Sequence, residues 1–270
     1  MVQLAVLGGG RMGEALVAGL LAGGWEPETV AIAEVDADRR RVLEERFPAV
    51  RIVPSAAWAV ADADVVVVAV KPADVTEALH ASAEALPASA LILSLAAGVP
   101  LDVLERAAPD RPVIRAMPNA PALVGRGAAA IAHGRHADAT HLDAAERILG
   151  TVGTVVRLPE HHLDAVTALS GSGPAYVFLV AEALVEAGVL AGLPRDVADG
   201  LVRQTLLGAA ALLEGSDAPE ALRAAVTSPG GTTAAGLRIL ERRGVRAAFL
   251  DAVLAATERS RELGDDSRAT

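Results

Sequence analysis

Short apolar runs alternate with helical stretches along this chain as far as about residue 160. This alternation is typical of a doubly wound α/β sheet, in which each helix connects two parallel strands. The run at residues 65–70 is almost entirely β-branched, as expected of a strand covered on both faces. The pattern predicts strands at residues 2–7, 30–33, 65–70, 91–95, 113–116, 128–132 and 154–158, and helices at 15–21, 36–46 and 138–149.

Beyond about residue 160 the chain consists of long Ala-, Leu- and Val-rich stretches with helical spacing. We therefore predict an α/β domain with a mostly parallel sheet at residues 1–160 and an all-α domain at 161–270. A bundle this small cannot bury all of its apolar helices, so the second domain is expected to form a dimer interface. Its polar end, residues 264–270, is expected to fray. The helices are expected at residues 175–190, 195–213, 218–226, 233–243 and 246–263.

Composition argues against several classes of function. The 270 residues carry 24 Lys and Arg against 34 Asp and Glu, and a net charge of −10 is unsuited to a nucleic-acid or anionic-membrane surface. The absence of cysteine excludes disulfides, thiolate nucleophiles and iron–sulfur clusters, and the six histidines lack metal-ligand spacing, so no metal is expected. The most apolar stretch, 165–181, is interrupted at 170–174, and residues 1–7 lack the basic region of a secretory signal. A cytoplasmic protein without a membrane span is the expectation.

A glycine-rich turn separates the first predicted strand from the first predicted helix. Residues 8–13 match the pattern G-x-G-x-x-G, in which glycines allow close backbone approach and a pyrophosphate lies at the helix N-terminus. The next strand ends at Glu34, 21 positions after Gly13, near the spacing of about 20 expected for a ribose-binding acid. The turn predicts a dinucleotide site that includes Gly8, Gly10, Arg11, Met12, Gly13 and Glu34.

Glu34 and the arginines that follow it favour different cofactors. A carboxylate at this position accepts from a ribose 2′-hydroxyl and repels a 2′-phosphate, which favours NADH. Arg39, Arg40 and Arg41 would reach a 2′-phosphate if Glu34 turned away, or they form a solvated helix face. The choice between NADPH and NADH therefore stays open at this point.

Further cofactor contacts are expected at three strand ends, because ligands collect at the carboxyl ends of the strands of an open α/β sheet. Lys71 is the only lysine in the chain and would approach phosphate or ribose oxygens, whereas small residues after the 91–95 strand would admit a nicotinamide ring. Asn119, the only asparagine, either contacts the cofactor or stabilises its own loop. The residues assigned to the cofactor at these ends are Ala69, Val70, Lys71, Pro72, Ala96, Ala97 and Asn119.

The helical half contains a candidate anion site at residues 228–233, which read Ser-Pro-Gly-Gly-Thr-Thr. A glycine turn before a helix supplies free backbone N–H groups, the positive end of a helix dipole and two hydroxyls, which together suit a carboxylate. The simpler interpretation is an ordinary helix cap. A second motif at residues 170–174, Ser-Gly-Ser-Gly-Pro, is either a helix breaker or a tight helix crossing.

These motifs resemble those of the pyrroline-5-carboxylate reductase family over essentially the whole chain. The stretches 164–176 and 226–237 are the most specific, and residues 70–72, 117–121 and 259–263 fit as well. The resemblance implies an N-terminal Rossmann-like domain and a C-terminal helical domain that interlocks with its partner, in homo-oligomers from dimers to decamers. It also implies an oxidoreductase acting on a C=N bond: it reduces 1-pyrroline-5-carboxylate to L-proline with NADPH or NADH, the last step of proline biosynthesis.

The resemblance assigns roles to individual residues. In the family the substrate carboxylate is held by the loop that matches Gly231, Thr232 and Thr233, and Glu160 matches a residue beside the substrate. Thr233 is the best-placed catalytic hydroxyl, with a relayed water as the other source of the proton. Some relatives carry Ser where Glu34 stands and Asn near Ala56, which puts direct 2′-phosphate contacts in doubt here. The expected substrate site comprises Glu160, Ser228, Gly230, Gly231, Thr232 and Thr233.

Other functions share part of the pattern. β-Hydroxyacid dehydrogenases also combine a dinucleotide domain with a helical domain, but they use a lysine in the helical domain, and this chain has none after Lys71. A non-catalytic nucleotide-sensing dimer would have no need of a carboxylate loop at residues 228–233. Another NAD(P)-dependent imine reductase is a further alternative.

Overall fold

The computed structural model describes residues 3–269, which contain one sheet of eight strands. The strands are β1 (Leu4–Leu7), β2 (Val30–Ala33), β3 (Arg51–Val53), β4 (Val65–Val68), β5 (Leu91–Ser94), β6 (Val113–Met117), β7 (Gly127–His133) and β8 (Gly153–Arg157). Their order is β3-β2-β1-β4-β5-β6-β7-β8, and every neighbouring pair is parallel except β6 and β7. This sheet confirms the predicted α/β fold.

Each predicted apolar run forms a strand, although Val2 lies outside the described residues. β3 was not predicted. It has only three residues, lies at the sheet edge and is partly exposed, so it has neither the length nor the apolar character of the other runs.

Helices cover both faces of the sheet because alternate strand residues point in opposite directions. Leu4 and Val6 of β1 pack in one apolar cluster, and Ala5 and Leu7 pack in the other. All four are at most 1% exposed, as expected of a central parallel strand. The helices of this region are α1 (Arg11–Ala22), α2 (Ala37–Arg46), α3 (Ala56–Val60), α4 (Val75–Ser82), α5 (Leu101–Ala107), α6 (Ala139–Gly150) and α7 (Leu163–Val166).

The remainder of the described chain is helical, as predicted. Its helices are α8 (Gly173–Leu190), α9 (Arg195–Leu213), α10 (Pro219–Ala225), α11 (Thr232–Arg242) and α12 (Val245–Ala269). The chain forms two compact units. The first unit contains the residues up to Ser172 together with those from Ala255 onward, and the second unit is Gly173–Leu254. The domain boundary at residue 160 stays a prediction.

The expectation that residues 264–270 fray is wrong for the part that the structure describes. α12 continues to Ala269, because its last turns are tied to other parts of the first unit. The Ser260 hydroxyl donates to Asp164 at 2.7 Å, and the Ser267 hydroxyl donates to the Gly98 carbonyl at 3.1 Å. Thr270 lies outside the described residues.

The motif at residues 170–174 does not interrupt the helical path. The chain is helical from Glu160 to Leu190 and passes the motif through a π-helical turn at Thr167–Gly171. This 31-residue stretch, with a mean hydropathy of 1.5, is long and apolar enough to cross a membrane by length and composition. The sequence argument against a membrane span depended on an interruption at residues 170–174, and the structure does not contain that interruption. Length and composition do not distinguish a membrane helix from an apolar helix of a protein interface.

Candidate functional site

The strand order places a crevice between β1 and β4. The chain leaves β1 toward β2 on one side, and β4 pairs with β1 on the other, so the order reverses at this point. Leu7 is in register with Ala33 of β2 and with Val68 of β4, so these three strands end at the same level. Open α/β sheets bind their ligands outside the carboxyl ends of the strands at such a reversal.

A cavity of about 730 Å³ lies at this place. It collects the turn after β1, the acid after β2 and the segment after β4. Six of the predicted cofactor residues line it, namely Gly8, Gly10, Glu34, Ala69, Val70 and Lys71. The remaining predicted cofactor residues are Arg11, Met12, Gly13, Arg39, Pro72, Ala96, Ala97 and Asn119, and they are not among its lining residues.

The glycines of the turn have different reasons for lacking a side chain. Gly8 has φ +101°, and a Cβ there would lie 2.8 Å from the Ala69 carbonyl oxygen. A Cβ at Gly13 would overlap the carbonyl oxygen of Gly8. Gly10 has an ordinary φ of −65°, and apart from its two chain neighbours no described residue has an atom within 4 Å of a Cβ built on it. Because the fold itself does not require glycine at residue 10, the open space beside it fits a ligand that approaches the backbone.

α1 begins at Arg11, directly after this turn. The N–H groups of its first turn have no partners within the helix, and they form the positive end of the helix dipole. The Arg11 side chain is exposed and makes no hydrogen bond or ion pair with residues 3–269, whereas Met12 packs on the core and Gly13 is buried. Backbone N–H groups and the Arg11 cation are therefore the groups available to a pyrophosphate.

Glu34 is held in place by the backbone on both sides of it. Its Oε2 accepts from the N–H of Gly9 at 2.9 Å, and its Oε1 accepts from the N–H of Asp36 at 2.9 Å. Arg39 donates from Nε to the Gly9 carbonyl at 2.7 Å and pairs with Glu14. Arg40 donates to the carbonyls of Glu34 and Val35, each at 2.8 Å. Glu34 has not turned away, and Arg39 and Arg40 are engaged within the protein.

The other strand-end residues occupy varied environments. Lys71 is exposed and lines the cavity, and its ammonium has no partner among the described residues. Pro72 is exposed and begins a short 3₁₀ turn, Pro72–Asp74. Ala96 is buried and Ala97 is exposed, both at the carboxyl end of β5 beside β4.

Asn119 uses both ends of its carboxamide within the protein. Its Oδ1 accepts from the N–H of Ala128 at 2.8 Å, and its Nδ2 donates to the carbonyl of Ser170 at 3.0 Å. The side chain thus connects the start of β7 to the π-helical turn. The sequence analysis expected either a cofactor contact or a bond within its own loop, whereas these two partners belong to other segments. The cofactor contact stays a prediction.

Glu160 contacts a buried cation that the sequence analysis missed. Arg115 of β6 is 5% exposed, and its Nη1 donates to Glu160 Oε1 at 2.9 Å. The same oxygen accepts from the N–H of Leu101 at the start of α5, at 2.7 Å. An arginine within an otherwise apolar strand was the signal, because a buried charge needs a partner.

The turn at residues 228–233 in the second unit leaves its helix end open. Gly230 has φ +70°, which favours glycine, and a Cβ at Gly231 would overlap the Ser228 hydroxyl oxygen, so a side chain there would displace that hydroxyl. α11 starts after Gly231, which has no side chain to cap the first turn. The Thr233 hydroxyl makes no hydrogen bond within residues 3–269. Free N–H groups and hydroxyls are therefore available here to an anion.

Curated relatives match this chain from end to end. Pyrroline-5-carboxylate reductase of Corynebacterium melassecola is 42% identical over 98% of this chain and 99% of its own length. The chain belongs to the pyrroline-5-carboxylate reductase family. The enzyme of the same name from Synechocystis is 44% identical over 97% of this chain and 98% of its own length. The resemblance found in the motifs is thereby confirmed.

Two family models match separate parts of this chain. The model described as "Pyrroline-5-carboxylate reductase dimerisation" matches residues 160–263. The model described as "NADP oxidoreductase coenzyme F420-dependent" matches residues 3–98. The apolar stretch Glu160–Leu190 therefore falls within a dimerisation domain.

Solved structures of the pyrroline-5-carboxylate reductase family have the same fold. The enzyme from Coxiella burnetii superposes with a TM-score of 0.92 at 36% identity, covering 97% of this chain and 98% of that chain. The Plasmodium falciparum enzyme, solved with NADP bound, gives 0.84 at 30% identity, with 97% and 98% covered. Within residues 3–269, no group of three His, Asp or Glu side chains is placed to hold a metal ion.

Proposed function

We propose that this chain catalyses the NAD(P)H-dependent reduction of 1-pyrroline-5-carboxylate to L-proline, the last step of proline biosynthesis. The observation that carries the proposal is similarity of 42–46% identity to pyrroline-5-carboxylate reductases over 97–98% of the chain. The cavity at the sheet reversal and the open helix end at residues 228–233 supply the two kinds of site that this reaction requires.

The first unit holds the dinucleotide. The first turn of α1, with Gly8, Gly10 and Arg11, binds the pyrophosphate, and Glu34 binds the adenosine ribose. Lys71 contributes a cation to the cavity, while Ala96 and Ala97 leave room for the nicotinamide. When bound, the cofactor supplies the hydride that adds to the imine carbon of the substrate.

The second unit holds the substrate carboxylate. The N–H groups that follow Gly231 and the hydroxyls of Thr232 and Thr233 bind it, and Ser228 and Gly230 shape the turn. Thr233, or a water that it orients, donates the proton that the ring nitrogen gains. Fixing two reactants in a near-attack geometry supplies much of the rate enhancement, because it replaces a bimolecular encounter.

The assembly and location of the protein follow the same family pattern. Each chain has a dinucleotide domain at residues 1–160 and a helical domain at 161–270. Two chains form a dimer through their helical domains, and dimers associate further, up to decamers. We expect a small-molecule enzyme of the cytoplasm, and the net charge of −10 argues against binding to nucleic acid or anionic membranes.

A coupled measurement tests this function. Purified protein is mixed with 1-pyrroline-5-carboxylate and, in separate reactions, with NADH or NADPH; loss of reduced nicotinamide absorbance and formation of proline by chromatography are followed. We expect equal molar amounts of cofactor oxidised and proline formed. Cofactor oxidation with a β-keto acid and none with the imine would support the β-hydroxyacid alternative, and binding without turnover would support a nucleotide sensor.

A further inference from the structure

We infer that this chain binds NADH in preference to NADPH, with Glu34 as the residue that determines the choice. The inference rests on the proposed function, because it specifies the cofactor of the same site. Glu34 lines the cavity at the carboxyl end of β2, next to the glycine turn that approaches the pyrophosphate. In this position a carboxylate accepts hydrogen bonds from the 2′-hydroxyl of an adenosine ribose.

The Glu34 carboxylate is fixed toward the turn. One oxygen accepts from the N–H of Gly9 and the other accepts from the N–H of Asp36, both at 2.9 Å. Rotation of the side chain out of the site would break both hydrogen bonds and leave two backbone donors without a partner, which opposes that movement. Each carboxylate oxygen keeps a second lone pair, so the group still accepts from a ribose hydroxyl.

The arginines that would favour a 2′-phosphate are already paired. Arg39 donates to the Gly9 carbonyl and pairs with Glu14, which also pairs with Arg46. Arg40 donates to two backbone carbonyls, and Arg41 pairs with Asp38 on the exposed face of α2.

The charged groups that line the cavity have a negative balance. They are Glu34, Lys71, Asp74 and Glu77. A 2′-phosphate would bring a charge of about −1.5 to −2 against the fixed Glu34 carboxylate. A 2′-hydroxyl would instead donate to that carboxylate. The expected preference for NADH is on the order of tenfold to a hundredfold in dissociation constant.

Equilibrium binding tests the inference without catalysis. The dissociation constants of NADH and NADPH are measured without substrate, by nicotinamide fluorescence, for the natural chain, Glu34→Gln and Glu45→Gln. Glu34→Gln removes the charge but keeps an oxygen acceptor for Gly9. Glu45→Gln removes the same charge from an exposed position of α2 that does not line the cavity.

We expect NADH to bind at least about tenfold more tightly than NADPH to the natural chain and to Glu45→Gln. In Glu34→Gln the ratio should shrink, chiefly through tighter NADPH binding. Added salt should weaken the discrimination of the natural chain, because salt screens charge repulsion. Equal or tighter binding of NADPH to the natural chain, or an unchanged ratio in Glu34→Gln, would overturn the inference alone. Binding of neither dinucleotide would overturn the proposed function and the inference with it.

Discussion

Glu160 Oε1 receives a hydrogen bond from the buried guanidinium of Arg115 at 2.9 Å, although 45 residues separate the two in sequence. The same oxygen accepts a hydrogen bond from the N–H of Leu101 at the start of α5. One carboxylate thus compensates a charge inside the sheet and joins β6, α5 and the beginning of the long helical run. Glu160 therefore has a structural task within the first unit that does not depend on substrate.

Replacing Glu160 with alanine should lower the free energy of unfolding by about 1–3 kcal/mol. This is less than the loss of about 3–5 kcal/mol on breaking a fully buried pair, because the Glu160 side chain is 32% exposed. Urea unfolding measures it. The double variant Arg115→Met/Glu160→Ala should recover part of the loss, since it no longer contains an unpaired buried charge. Full stability of Glu160→Ala, with only a raised KM for the imine, would leave Glu160 a substrate residue alone.

Gly10→Ala should weaken dinucleotide binding by about tenfold or more while leaving the unfolding free energy almost unchanged. Beyond its two chain neighbours the added methyl would meet no described residue, and it would occupy the space at the helix N-terminus that a pyrophosphate needs. Gly8→Ala is the matched comparison. Its left-handed φ and the Ala69 carbonyl should make it lose about 1–3 kcal/mol of stability. Normal cofactor affinity in Gly10→Ala would contradict the assignment of the turn.

Thr233→Val should reduce kcat/KM for the imine on the order of tenfold to a hundredfold, with cofactor affinity nearly unchanged. A hydrogen bond to a charged group is worth about 1.5–3 kcal/mol, and each 1.36 kcal/mol is about tenfold in rate. Thr227→Val makes the same change where the hydroxyl already donates to the Arg223 carbonyl, so its kcat/KM should stay near normal. A Thr233→Val variant with reduced stability and normal catalysis would make this position a helix cap.

The protein should be at least a dimer in solution. Within the second unit only Val185 and Ala198 are buried, and many large apolar side chains of α8 and α9 are exposed. Water contact over so much apolar surface is unfavourable, and another protein surface is needed to cover it. Light scattering at micromolar concentration checks this expectation. An active monomer would count against it.

At low pH the last turns of α12 should lose one of the interactions that stabilise them, the one between Asp102 and Arg268. Partial burial raises the pKa of Asp102, but hydrogen bonds and positive charge from Arg106 and Arg268 outweigh this and lower the pKa below its usual 3.8. A lowered folded-state pKa means that the stabilisation is complete above the unfolded-state pKa and is lost as pH falls through the folded-state value. Asp102→Asn should therefore be less stable than the natural chain at pH 7, and the difference should shrink as the pH falls below 3.8 and through the folded-state pKa. Urea midpoints measured from pH 7 down into acid follow this difference, and a difference that does not change with pH would rule out this interaction.

Local sequence patterns accounted for most of the elements. β-Branched and apolar runs predicted the central strands. Helical spacing predicted a helix at residues 195–213, and α9 begins at Arg195 and ends at Leu213. The glycine turn and the acid that follows β2 were recognisable because strand, turn and helix are adjacent in sequence. Short-range periodicity carries this information, since each strand or amphipathic helix must bury its own apolar face.

Contacts between segments that are distant in sequence could not be predicted from short-range periodicity. The sequence left open the choice between NADPH and NADH, because Glu34 and the arginines after it favour different cofactors. The hydrogen bonds of Gly9 and Asp36 to the Glu34 carboxylate supplied the geometry for the inference of an NADH preference. Asn119 proved to bridge β7 and the π-helical turn, and the end of α12 is ordered by partners far away in the chain. In each case a polar side chain had several possible partners, and its choice depended on which backbone groups the folded sheet and helices brought within hydrogen-bonding distance.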